Sequence, residues 1–175
     1  MATLFMRIDG LDSVDGAATV EDIGGDKGWF AIGSINWSAA RGVTMNIGAA
    51  TNQDSGMAML GEISVSKTYC GASPYLSTWL FYPGTEARDI YVVDTKPNRE
   101  GTGLNINVKY SLTDCRISNY SLSGSDSSDP FESFSITYTA IEIEYGIEDI
   151  GGAMTVAGTV GFDIPTATLT SKADL

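Results

Sequence analysis

Between Phe134 and Tyr145 the apolar side chains change parity. Phe134, Ile136 and Tyr138 share one phase of a two-residue period, whereas Ile141, Ile143 and Tyr145 share the other. Successive side chains of a strand point to opposite faces, so one strand that keeps a buried face through this change must absorb an extra residue. The expected device is a β-bulge near Thr139–Ala140. A long strand that bulges and stays amphipathic belongs to a curved sheet of barrel type, not to a helical core.

The rest of the chain reads as more strands around one helix. Leu4–Ile8 is a first strand, and the Gly- and Asp-rich stretch 9–27 a surface loop. Trp29–Trp37 is a second strand, Glu62–Tyr69 a third, and Asp89–Val93 a short one. The helix is expected at about 73–82, with Ser73 as its cap and Pro74 in its first turn. Tyr75, Leu76, Trp79 and Leu80 then fall on one side, and Pro83-Gly84 stops it. This aromatic stripe reads as a helix plugging a barrel, not as a cofactor box. Asn105–Leu122 is a second long stretch with phase changes: one curved strand, or two broken near Asp114. After a polar loop at 123–129 comes the bulged strand, then a loop at 146–158 and a last strand, Thr159–Thr166. Many strands and one helix make a mostly-β sandwich or barrel, most simply a single domain over residues 1–175.

Composition removes several functions. Ten Lys and Arg against 22 Asp and Glu leave a net charge of −12. Nucleic-acid binding needs phosphate neutralisation by Lys and Arg, and anionic membranes repel an acidic surface, so neither partner is expected. No apolar run approaches the ~20 residues of a membrane span. The N-terminal residues lack the basic and long apolar regions of a signal peptide, so export would need another route. Histidine is absent. That removes Ser-His-Asp and Cys-His catalysis and the usual zinc sets.

What chemistry remains has a plainer explanation. Glu142 and Glu144 share a strand face ~7 Å apart, a separation a glycosidase pair could use, but an outward polar face accounts for them better. The acidic clusters Asp9, Asp12, Asp15 and 125–129 lack EF-hand spacing. Gly24-Gly25 and Gly151-Gly152 lack the Gly-Lys-Ser/Thr that completes a phosphate loop. Lys67, a lone base within a strand, reads as a salt bridge or a snorkelling side chain. Cys70 and Cys115 read as reduced thiols, with a disulfide left open. No enzyme, cofactor or metal is expected.

Taken in order, several segments resemble the haemolysin-coregulated protein (Hcp) family, the tube subunit of type VI secretion. They are Leu4-Phe-Met-Arg-Ile-Asp-Gly10; the Trp29–Ser38 strand; Lys67 followed by Ser73-Pro74-Tyr75-Leu76; Tyr110–Ser121; Ile136–Tyr145; and Gly161-Phe-Asp-Ile-Pro-Thr166. The likeness covers nearly the whole chain. Each segment bears the fold, and none is a catalytic signature. The family's usual Asp between Lys67 and Ser73 is missing, its histidines are absent, and the tail from Pro165 to Leu175 is read as carrying no toxin domain. The resemblance implies two antiparallel sheets closing a tail-tube-like β-barrel with the helix on one side. It implies six-membered rings stacked into an inner tube, with sheath, spike protein and secreted effectors as partners. The product would be made in the cytoplasm and exported, with effectors carried in its lumen.

A ring of identical subunits needs one patch that fits a different patch on its neighbour. The expected patch lies in an extended, weakly charged loop at about 39–60, in Val43, Met45, Ile47, Met57, Met59 and Leu60. Exposed, these form an apolar surface that monomers avoid. The alternative is that this stretch is a hairpin of the core. Three rival functions stay open. One is a tube subunit of a related contractile injection or phage tail device. Another is a monomeric ligand-binding β-domain with surface Trp and Tyr beside acids. The third is a carboxylate hydrolase.

Overall fold

The computed structural model describes residues 3–11, 23–45, 48, 53–101 and 103–173. In chain order its elements are β1 (Leu4–Ile8), β2 (Phe30–Ala31), β3 (Ser34–Asn36), β4 (Ala39–Thr44), β5 (Gln53–Leu60), β6 (Ile63–Thr68), α1 (Ser73–Phe81), β7 (Arg88–Pro97), β8 (Leu104–Ser125), β9 (Ser128–Thr137), β10 (Ala140–Glu148), β11 (Met154–Asp163) and β12 (Thr168–Ser171).

The long strand β8 organises the fold. Up to Thr113 it pairs with β10, and from Arg116 onward with β9. Asp114 turns between these halves at φ +53°, a left-handed conformation that Asp tolerates better than most residues. Its amide donates to Asp89 Oδ1 at 3.1 Å. Directly opposite, Thr139 N–H donates to Thr113 O at 3.0 Å, between the end of β9 and the start of β10. The parity change is therefore real, but its cause is not a bulge in one strand. The chain leaves one sheet at Thr137 and enters the other at Ala140. Phe134, Ile136 and Tyr138 face the core from the first, Ile141 and Ile143 from the second. Tyr145, past the core's edge, is exposed.

Among the described residues the expected closed barrel is not formed. One path runs β12-β11-β10-β8-β7-β1-β2, and a branch through β8 adds β9, β6 and β3. Closure would need β2 and β3 to form one continuous strand, as expected for Trp29–Trp37. Instead, successive amides serve different neighbours. Ile32 N–H donates to Leu4 O at 3.0 Å, and Gly33 N–H to Ser66 O at 2.7 Å. Split allegiance within two residues leaves β2 and β3 as separate free edges.

Alternation along β1 and β7 fills two apolar clusters. Met6 and Val92 enter the main core with Phe30, Ile63, Val65, Leu76, Leu112, Cys115 and Phe134. Phe5 and Val93, on the other face, pack with Ile23 and Trp29. Helix α1 starts with Pro74 in its first turn as expected, but its cap residue is Ala72. The Ser73 hydroxyl is instead buried and accepts from Lys67 and the Cys70 amide. Of the aromatic stripe, Leu76 and Trp79 are buried and Leu80 partly so, whereas Tyr75 is exposed. The stretch expected as a loop at 146–158 largely extends β10 and β11, and β12 was not anticipated.

Candidate subunit interface

The segment expected to be irregular, 39–60, is an antiparallel ribbon. β4 and β5 pair from Ala39↔Leu60 to Thr44↔Gln53, as a two-stranded sheet apart from the main one. A bulge between Ala40 and Gly42 and the positive φ of Gly56 (+87°) break its regularity. The ribbon does not fold onto the core. Val43 is 55% exposed, Met45 78%, Met57 54% and Met59 67%. Leu60 differs from these, because it packs partly against the core at the ribbon's root. Ile47 lies outside the described residues. Two-stranded ribbons are marginal alone in water, so large exposed side chains on one make a surface with little internal reason to exist. Arg41 and Asp54 approach to 3.8 Å across it, an exposed pair that adds little.

The root is fixed firmly. Trp37 Nε1–H donates to the Tyr138 hydroxyl at 2.7 Å, which donates to Gly61 O at 2.8 Å. Gly61 N–H donates to Ser38 O at 2.8 Å. A Cβ at Gly61 would meet Ser38 Oγ at 2.9 Å and Ser38 O at 3.1 Å, so any larger residue would have to turn the Ser38 hydroxyl and push back its carbonyl. Tyr138 thus couples the junction between the sheets to the base of the ribbon. Burial pushes its phenol up, against the bond from Trp37.

A second apolar surface escaped the sequence reading. Ile147, Ile150, Val156, Val160 and Leu169 are exposed on or beside β10–β12. For Ile147, Ile150 and Val156 the signal was hidden because a segment read as a loop has no assigned face, and Leu169 lies in β12, which was not read as a strand. A cleft of about 710 Å³ also opens between α1 and the β1–β7 ends, lined by Leu11, Tyr75, Trp79, Tyr82, Glu86 and Arg88 among others.

The remaining polar candidates fall elsewhere. Glu142 is exposed and Glu144 half-exposed on β10, and Glu142 Oε2 accepts from Ser171 Oγ at 3.3 Å. Lys67 is fully buried and faces Glu132, itself 1% exposed, with Nζ to Oε2 at 2.7 Å. The contact is an ion pair by distance, although neither carboxylate oxygen meets a donor at full hydrogen-bond geometry. Lys67 Nζ also donates to Ser73 Oγ at 2.9 Å, Cys70 Sγ at 3.2 Å and Thr68 O at 3.3 Å. Nearby Tyr120 has its phenol pushed up by burial first; a contact with Ser77 opposes this, and Glu132 adds to it. Both cysteines are free: Cys70 is partly exposed and Cys115 buried. Among the described residues no group of three or more His, Cys, Asp or Glu could hold a metal ion, and no helix is long and apolar enough to cross a membrane.

A protein-family model described as type VI secretion system effector, Hcp, matches residues 5–145. Among curated proteins none matches the chain. Among solved structures, the fold is similar to one described as a type six secretion system protein: 20% identity, TM-score 0.81, covering 97% of this chain and 100% of that one. It is also similar to Hcp1 from Salmonella typhimurium, at 21% identity and TM-score 0.68, covering 97% and 99%. A more distant likeness is to a chain of the anti-feeding prophage baseplate, at 6% identity and TM-score 0.53, covering 82% and 93%.

Proposed function

The chain belongs to the type VI secretion Hcp family, and from that membership we propose that it is a structural tube subunit, not an enzyme, which assembles into six-membered rings stacked as an inner tube. The tube is exported with effectors in its lumen, and sheath and spike proteins are its partners. The observation that carries this reading is the β4–β5 ribbon, an apolar arm rigidly rooted at Trp37, Tyr138 and Gly61 yet exposed along its length.

Head-to-tail ring contacts pair two different patches. The ribbon supplies one, and the apolar surface of β10–β12 is suited to be the other. Burying a Met or Val side chain fully is worth roughly 1.5–3 kcal/mol, so the four ribbon side chains, already partly covered, give about 4–8 kcal/mol. Association costs about 4–15 kcal/mol in lost rigid-body freedom alone. The ribbon by itself is thus near break-even, and ring closure or the second patch must supply the surplus. Repulsion between subunits of charge −12 works against assembly and weakens with salt.

Negative-stain electron microscopy with light scattering, at low and moderate salt, tests the reading. Rings or stacked tubes are expected, favoured by salt. The double substitution Met45→Asp and Met59→Asp is expected to leave a folded monomer that no longer forms rings. Persistence of intact rings in this variant would remove the ribbon from the interface. The baseplate likeness supports a second reading, a tube subunit of a related contractile injection or tail device, and the particle that incorporates the chain separates the two. A monomer in all conditions, with saturable binding of a small molecule in the aromatic cleft, would instead identify a ligand-binding domain.

A further inference from the structure

Lys67, Cys70, Ser73 and Glu132 form a compact cluster where β6 passes into α1 beside β9. Lys67 and Cys70 are only three residues apart, but a strand would carry their side chains away from each other. They meet because the chain leaves β6 and turns into α1 between them. Cys70 N–H donates to Ser73 Oγ at 3.1 Å and Ser73 N–H to Cys70 O at 3.0 Å. These bonds hold Cys70 so that its Sγ lies 3.2 Å from Lys67 Nζ. The amine is fully buried, and the cysteine is partly exposed. A buried nitrogen therefore stands at reacting distance from the sulfur of a residue that is partly exposed to solvent.

We propose that Lys67 and Cys70 are an oxidation-trapped pair, in which a hydroperoxide converts the Cys70 thiol to a sulfenic acid and Lys67 captures it as a sulfenamide. In the first step the sulfur attacks the peroxide, an S–O bond forms as the O–O bond breaks, and water (or an alcohol) leaves; the sulfur loses two electrons. In the second, the Lys67 ammonium passes a proton to Glu132, whose Oε2 is 2.7 Å away. The freed amine attacks Sγ, an N–S bond forms as the S–OH bond breaks, and the hydroxide leaves with a proton from nitrogen as water. Sulfenic acids condense in this way with neighbouring nitrogens. The captured state cannot proceed to the irreversible sulfinic acid. Two equivalents of a reducing thiol return the amine and Cys70 and form one disulfide. Linkage replaces a buried ion pair by two neutral groups at the start of α1, so oxidation is registered in the fold.

The other cysteine is an internal control. Cys115 is fully buried, and its thiol is pushed up to about 12, first by burial. It should stay reduced under the same treatment.

The test is peptide mass spectrometry of the full-length protein after hydrogen peroxide, thiol alkylation and trypsin. The expected product is a peptide uncleaved at Lys67 and lighter by two hydrogens, with Cys115 recovered as alkylated thiol. Dithiothreitol restores cleavage at Lys67. Cys70→Ser keeps an acceptor for Lys67 and should fold, by circular dichroism, yet give no linked peptide. The urea-unfolded chain lacks the geometry and should give none either. Normal cleavage at Lys67 with Cys70 as thiol or sulfinic acid, or equal linkage in the unfolded chain, would overturn the proposal.

Discussion

Replacing Tyr138 with Phe isolates the bond relay that roots the ribbon. The ring stays and only the hydroxyl goes, so packing beside Cys115 and Trp37 is nearly unchanged. Two hydrogen bonds are lost, one accepted from Trp37 Nε1 at 2.7 Å and one donated to Gly61 O at 2.8 Å. A typical intramolecular bond is worth about 1 kcal/mol net, with a spread near 0.5. Trp37 and Gly61 are only partly buried, so the orphaned groups can recruit water and the larger penalty for dry unpaired groups does not apply in full. The sum is about 2 kcal/mol. Urea unfolding followed by tryptophan fluorescence, at dilutions where the chain is monomeric, should show a lower midpoint with an unchanged slope. Hydrogen exchange should quicken at the Gly61 amide, which donates to Ser38 O at 2.8 Å. Trp37→Phe removes one of the two bonds, and a double-mutant cycle should show the effects to be non-additive. A loss below ~0.5 kcal/mol with unchanged exchange at Gly61 would refute the reasoning, because the relay would then not hold the ribbon.

Three further outcomes follow from buried or paired charges. Lys67→Met strands Glu132 in the core and should cost about 3–5 kcal/mol, whereas adding Glu132→Leu should recover most of it, as thermal unfolding of both variants would show. The Cys115 thiol ionises near 9.0 when unfolded but is held protonated to about 12 in the fold, so above pH 9 the unfolded chain binds fewer protons and stability falls as pH rises. Cys115→Ala should flatten that alkaline slope in equilibrium unfolding, and an unchanged slope would contradict the assignment. Glu148 is held below its usual range of about 4.5, first by its bond from Lys96 and then also by Arg99. A depressed carboxylate contributes above its unfolded pKa and is lost as pH falls through the lower folded one. Glu148→Gln should therefore reduce the acid sensitivity of melting below pH 4.5, and a carbon-detected titration should find the Glu148 midpoint below that value.

Much of the architecture was legible in the chain because side-chain period reports burial directly. Leu4–Ile8 reads as a strand and is β1; the Ser-Pro start and apolar spacing after residue 72 give α1; the parity change before Ala140 marks a real structural junction. What period could not give was the partner of each strand. Asn105–Leu122 could be one strand or two, because the same phase change arises from a break or from a strand that continues into another sheet. The ribbon was read as irregular because alternation signals a strand only where one face is dry, and β4 and β5 are wet on both. For the same reason the residues proposed for the interface stood out only by chemistry (Val43, Met45, Met57 and Met59 are too apolar for a loop), while Leu60 belongs as much to the core as to the ribbon.

The sequence by itself determined that the chain is mostly β, where its helix lies, the absence of histidine chemistry and the apolar excess of the ribbon, because all four are properties of single residues or near neighbours. Only the tertiary structure decided that the sheet stays open at β2 and β3, that Tyr138 joins the sheet junction to the ribbon, and that Lys67 meets Glu132 and Cys70. Each of these depends on which distant backbone amide or side chain arrives at a given place. Residues 101 positions apart, such as Trp37 and Tyr138, leave no mark of their meeting in a local pattern.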